Sequence, residues 1–181
     1  MSRKVDLSKY NQAGYHPGRS VFVRALWYVT NMLFFKSSWC IGYGLKRVLL
    51  RMYGAHVGSK VVIKPCVNIK YPWHLSIGEN TWIGENVWID NLTDVTIGRN
   101  CCVSQGAMLL CGNHDFTKES FDLITGKIEL KDGAWVGAKT VVCPGVTMGE
   151  GSVLTAGSVA TKDIERDTIY QGNPAVEKRK Y

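Results

Sequence analysis

Residues 77–90 read Ile77-Gly78-Glu79-Asn80-Thr81-Trp82, then Ile83-Gly84-Glu85-Asn86-Val87-Trp88, then Ile89-Asp90: one hexad written twice and begun a third time. Working outward, the aliphatic-glycine pair returns as Val57-Gly58, Ile97-Gly98, Val136-Gly137 and Met148-Gly149. Taking the first residue of each hexad as an inward slot groups the chain in threes. The groups are Val57, Ile63 and Ile69; Ile77, Ile83 and Ile89; Ile97, Val103 and Leu109; Leu130, Val136 and Val142; and Met148, Leu154 and Ala160. All fifteen slots are apolar in a chain whose composition is 45% hydrophobic. Four residues further on stand small or β-branched side chains such as Val61, Thr81, Ala107, Thr140 and Ser158, fit for a tight interior near a turn. The glycine after each slot is expected to ease the bend. Three hexads make one triangular coil, and coils stack at strand spacing, roughly 4.8 Å. The predicted fold is mainly β: a parallel β-helix of about five coils over residues 57–175, its core a column.

The interruptions of the repeat matter as much as the repeat. Ile69 to Ile77 and Ile89 to Ile97 are eight-residue steps, and Leu109 to Leu130 is twenty-one. Each falls between the third hexad of one coil and the first of the next, so all three bulge from one corner of the prism. That corner stacks Tyr71-Pro72-Trp73-His74, then Asp90-Asn91-Leu92-Thr93-Asp94, then Gly112-Asn113-His114-Asp115. The longest excursion, about residues 111–128, is a protruding loop that a compact domain keeps for a reason.

Residues 1–56 are of a different character: a polar tail followed by helices. Val21 to Phe35 is apolar apart from Arg24 and Asn31, and falls short of the roughly 20 residues that span a bilayer. Leu45, Val48, Leu49, Met52 and Tyr53 recur at helical spacing, with Lys46, Arg47 and Arg51 largely opposite. Gly54 is placed to end that helix. Two readings stay open: these helices pack on the neighbouring domain, or they associate peripherally with a membrane through Trp27, Phe34 and Phe35. The last residues, 176–181, read as a basic C-terminal tail.

The net charge of +7 over 181 residues points to an anionic partner without choosing one. The basic residues are scattered, with no aromatic-and-basic binding motif, which argues against nucleic acid. Six cysteines form no C-x-x-C pair and read as reduced apolar side chains. With a polar opening that carries no secretory signal, the expected location is cytoplasmic, at the inner face of the membrane if the helices dock.

At the root of the long loop, His114 is the candidate base: a neutral imidazole suits proton abstraction at physiological pH. Asp90, Asn91, Asp94, Asn113 and Asp115 share its corner and are the candidates to orient the ring or bind acceptor hydroxyls. No metal is called for. Three converging histidines, as a β-helical zinc enzyme of the carbonic anhydrase type needs, are not available when only His74 and His114 lie in suitable territory.

The repeat, together with Tyr71-Pro72-Trp73, Gly112-Asn113-His114-Asp115-Phe116 and Gly172-Asn173-Pro174-Ala175, resembles the hexapeptide-repeat acetyltransferases. Within them the likeness is to the colanic-acid-type polysaccharide O-acetyltransferases, relatives of the galactoside and maltose acetyltransferases. The resemblance implies a left-handed β-helix; the general preference for right-handed crossovers would point the other way. It implies a homotrimer with sites between subunits, His114 as general base, acetyl-coenzyme A as donor and a sugar or glycan acceptor. It also implies that Trp135, Ala138, Ala156, Thr161 and Lys162 border the donor. Gly84 stands where the galactoside enzymes carry an acceptor-shaping asparagine, so a simple galactoside is not assumed. An N-acetyltransferase acting on an amino sugar, a Cys111 acyl-enzyme route and a non-catalytic trimeric scaffold are the alternatives.

Overall fold

The computed structural model describes residues 4–12 and 14–181. Three parallel sheets form the walls of a triangular prism. The first face stacks His56–Val57, Leu75–Ile77, Val95–Ile97, Ile128–Leu130 and Thr147–Met148. The second runs from Val62–Ile63 through Trp82–Ile83, Cys102–Val103, Trp135–Val136 and Val153–Leu154 to Thr168–Gly172. The third stacks Asn68–Ile69, Trp88–Asp90, Met108–Leu110, Val141–Val142 and Val159–Ala160. Register is kept slot on slot, as in Ile63 beside Ile83, Val103, Val136 and Leu154. All fifteen predicted slots are at most 8% exposed. A partial sixth turn follows the five coils, with Ile164 bridged to Met148 and Tyr170 beside Leu154.

Two features of the hexad have physical causes that differ from the expected bend. Gly58, Gly78, Gly84, Gly98, Gly137 and Gly149 do not adopt positive φ. What demands glycine is the next coil: a Cβ on Gly78 would stand 2.5 Å from the Gly98 carbonyl carbon. The left-handed residue is instead the third after the slot, as in Lys60, Cys66, Asn80, Asn86, Asn100 and Lys139. Asparagine tolerates that conformation better than most residues, which explains the recurring Gly-x-Asn. The polar residues four after the slot are satisfied inside: the Thr81 hydroxyl donates to the Gly98 carbonyl at 2.7 Å and Thr140 to that of Gly137 at 2.8 Å.

Helix α1 (Val21–Thr30), a π-helical turn (Asn31–Phe35) and helix α2 (Tyr43–Met52) close the first coil. Slot carbonyls of each later coil accept N–H bonds from the coil before, as Ile77 does from Gly58, whereas the first coil has no predecessor. The cap supplies donors instead. Lys46 donates to the carbonyls of Ile63 and Lys64, Arg47 to Val61, Arg51 to Val57 and Gly58, and the Trp27 indole to Ile69. The apolar spacing therefore does not mark the buried face by itself: Lys46 and Leu50 are fully buried and Leu49 and Tyr53 pack against the core, while Leu45, Val48 and Met52 are exposed. Trp27 and Phe35 are buried too, so neither they nor the half-buried Phe34 form an exposed docking surface.

At the other end, the basic run expected as a tail is a strand. Ala175–Lys180 pairs antiparallel with Thr168–Gly172 and covers the edge that this last strand would otherwise leave open.

Candidate active site

The long loop folds as a hairpin, Gly112–His114 against Leu123–Thr125. Its first strand leaves the prism just past Leu109–Leu110, and Gly112 lies close over the bulge beneath: a Cβ there would meet the Leu92 side chain at 2.6 Å. This contact seats the hairpin root on the corner. The His114 ring stacks on Phe121 at 4.4 Å with an interplanar angle of 5°, and Tyr10 meets it edge-on at 5.7 Å.

The tautomer follows from one hydrogen bond. His114 Nδ1 lies 3.0 Å from the Phe121 carbonyl oxygen, which can only accept. Nδ1 therefore carries the hydrogen, and in the neutral ring Nε2 holds a free lone pair. A base oriented through its other nitrogen is the arrangement proton abstraction needs.

His114 lines a cleft of about 410 Å³ with Tyr10, Gln12, Tyr15, Lys70, Tyr71 and Asp90, among others. Of the acceptor candidates, Asp90 and Asn113 line it; Asp90 pairs with Lys70 at 2.9 Å, and Asn113 accepts from the His114 amide at 2.8 Å. The other three are engaged elsewhere, a correction to the corner-wide expectation. Asn91 is fully buried, accepting from the Tyr71 amide at 3.0 Å and donating to its carbonyl, so it staples two bulges together. Asp94 binds Lys127 at 2.7 Å and His74 at 3.0 Å, and these partners hold its carboxyl below the ordinary carboxylate range. Asp115 closes the hairpin turn through Thr117, whose hydroxyl and amide lower its carboxyl in the same direction. Sharing a corner does not mean sharing a cleft.

Cys111 does not join the site. It is fully buried, and burial pushes its thiol up to about 12, leaving no thiolate for an acyl-enzyme route.

A model of the hexapeptide repeat of succinyl-transferase matches residues 74–111 and 131–162. The chain is 35% identical over 172 residues to the colanic acid biosynthesis acetyltransferase WcaF of Escherichia coli K12, covering 94% of each. The chain belongs to the hexapeptide-repeat acetyltransferases. It superposes with a TM-score of 0.78 on the hexapeptide-repeat acetyltransferase of Vibrio cholerae, at 26% identity over 89% of this chain and 93% of that one. A galactoside acetyltransferase in complex with coenzyme A gives the same TM-score, at 28% identity over 88% of this chain and 80% of that one. The fold is therefore the left-handed parallel β-helix of these acyltransferases.

In this acetyltransferase four of the five donor-side candidates lie along two edges of the third face. Ala138 and Ala156 repeat one coil apart at the corner before it, where the Gly157 amide donates to the Ala138 carbonyl at 2.8 Å. Thr161 and Lys162, both exposed, follow its last strand at the same corner as His114, two coils along. Trp135 stands on the second face, half exposed, its indole donating to the Ser104 hydroxyl at 2.9 Å. None of the five lines the His114 cleft of the single chain.

The acetyltransferase cleft also has a wall that the sequence read as a polar tail. Tyr10, Gln12 and Tyr15 come from the segment before α1, which is held on the hairpin by the Asp6 amide to the Glu119 carbonyl at 2.9 Å and by Lys9 to Glu119 at 2.7 Å. The Tyr15 hydroxyl donates to the Leu92 carbonyl at 3.0 Å, and burial raises its phenol so that it stays a donor. The tyrosines were visible in the sequence; their partners are about a hundred residues away and carry no local signal.

Proposed function

We propose that this acetyltransferase moves the acetyl group of acetyl-coenzyme A onto a sugar hydroxyl in polysaccharide synthesis, with His114 as general base. The observation that carries the reading is the His114 Nδ1–H bond to the Phe121 carbonyl, which directs the basic Nε2 lone pair away from that bond on a side chain that lines the cleft. In the step proposed, Nε2 takes the hydroxyl proton as the oxygen attacks the thioester carbonyl. The tetrahedral intermediate then expels the coenzyme A thiolate, which recovers a proton from the imidazolium. Asp90 and Asn113 are proposed to hold acceptor hydroxyls, and Trp135, Ala138, Ala156, Thr161 and Lys162 to border the donor.

A homotrimer completes the reading. The donor candidates lie open on one subunit, and Trp82, Trp88 and Trp135 stand outward on the prism, where a neighbouring subunit would cover them. Likeness to WcaF favours a polysaccharide precursor as acceptor, and the six free thiols fit a reducing compartment.

Calorimetry with acetyl-coenzyme A on wild type and His114→Ala, followed by turnover on candidate glycans, tests this. Saturable binding kept in the variant with turnover lost supports it. A folded oligomer that binds no acetyl-coenzyme A, or a variant that turns over at the wild-type rate, overturns it.

A further inference from the structure

The cap presents two chemistries on two sides, and the carbonyl-bearing end of the β-helix accounts for only one of them. Its inner side must offer donors to the first coil, which is why Lys46, Arg47 and Arg51 face inward. The rest of the cap has no such demand, yet Phe22, Leu33, Trp39, Ile41 and Met52 are between 52% and 74% exposed. A run of large apolar side chains this dense is unusual on a surface meant only for water.

Charge says what covers it. From Leu7 to Gly78 the sequence has ten lysines and arginines and not one aspartate or glutamate; all fifteen acidic residues lie outside that stretch. Arg19, Lys36 and Lys60 are exposed within it. A symmetric contact between two such caps would set cation against cation with no carboxylate to pair. Lys9 and Lys70 pair with Glu119 and Asp90, and Lys46, Arg47 and Arg51 turn inward, so the cations left for a partner include the exposed Arg19, Lys36 and Lys60. Aromatic and aliphatic side chains set among such exposed cations fit the boundary of an anionic bilayer, where rings lie at headgroup depth and lysines and arginines meet lipid phosphates. No helix among the described residues is long and apolar enough to cross a membrane, so the geometry is that of lying on the surface.

We propose that the outer face of this helical cap docks on an anionic lipid surface. The docking residues differ from the buried Trp27 and Phe35, which belong to the interior. A groove of about 350 Å³ gives the docking a purpose. Arg24, Tyr28 and Lys36 line its cap end, and it shares Lys70, Tyr71 and Asp90 with the His114 cleft. A docked cap sets the mouth of that groove beside the bilayer. The proposal does not depend on the His114 chemistry, because its test reads lipid binding and not turnover.

The test is co-sedimentation of the full chain with vesicles of phosphatidylcholine plus phosphatidylglycerol, against phosphatidylcholine alone, at low and high salt. Binding is expected on the anionic vesicles, weakened by salt. In the triple variant Phe22→Ser, Trp39→Ser, Met52→Ser it should fall by about tenfold or more. Val176→Ser, at a half-exposed apolar residue on the C-terminal strand, should bind as wild type. A second variant, Arg19→Glu with Lys36→Glu, leaves the apolar side chains in place and should also lose anionic binding while keeping the wild-type circular dichroism spectrum. Wild type that stays in the supernatant with anionic vesicles overturns the proposal, as do folded variants that sediment like wild type. A smaller particle in solution for the triple variant overturns it in favour of a face buried between copies.

Discussion

His114 shows how little of a residue's role lies in the residue. The sequence supplies an imidazole in a Gly-Asn-His-Asp turn; the Phe121 carbonyl at 3.0 Å fixes which nitrogen is basic. His114→Ala should lower turnover by about 10²–10⁴-fold while acetyl-coenzyme A binding by calorimetry stays within error. His114→Asn, which retains a donor but offers no basic nitrogen, should be as slow as alanine; wild-type turnover in it would remove the base assignment. Cys111 gives the complementary case. Its thiol has a higher proton affinity folded, about 12, than the ordinary 9.0, so the unfolded chain gives up that proton first as pH rises. The contribution is present below pH 9.0 and lost from there toward about 12. Denaturant unfolding from pH 7 upward should show wild type losing more stability than Cys111→Ala above pH 9, with acetyl transfer retained in the variant at neutral pH. Asn91 and Asp115 were legible as polar residues at the right corner, but not as residues whose hydrogen bonds are already taken.

At the scale of the element, the hexad is a packing rule before it is a strand rule. Gly78 sits where a Cβ would run into the Gly98 carbonyl carbon and the Arg99 amide at 2.5 and 2.6 Å, both backbone atoms that side-chain rotation cannot clear. Gly78→Ala should therefore destabilise by about 1–3 kcal/mol or more, read as a lower urea midpoint at unchanged m. Gly157, at a turn with open space around it, should respond through its φ of +72° alone and lose less on Gly157→Asn. Helix α2 makes the converse point. Its spacing separated an apolar from a basic side, yet the basic side also turns to the β-helix, because the end of the first coil meets it with carbonyl oxygens as well as an apolar wall. Lys46→Met would place an apolar side chain against the carbonyls of Ile63 and Lys64. Each buried acceptor left without a donor costs about 1–3 kcal/mol, so this substitution should lower stability even though it makes the helix interior more hydrophobic.

For the whole molecule, the cleft is closed by chain segments that the repeat does not contain. Removing residues 1–19 deletes the wall formed by Tyr10, Gln12 and Tyr15 without touching a coil. The truncated protein should keep its β-sheet circular dichroism signal and lose about tenfold or more in turnover, mostly as a raised acceptor KM. Light scattering should give a trimer for the intact chain; a monomer that turns over normally would sink the shared-site reading. The sequence by itself determined the β-helix, its five full coils, the corner from which every interruption bulges and the histidine at the root of the longest one. It could do so because a six-residue period is local: each hexad repeats the same inward slot whatever the rest of the chain does. The tertiary structure alone decided which corner residues face the cleft, which nitrogen of His114 is basic, that the tail before α1 walls the site, and that α2 turns its lysine inward. Those outcomes depend on unpaired carbonyls and long-range contacts, which exist only once the coils have stacked.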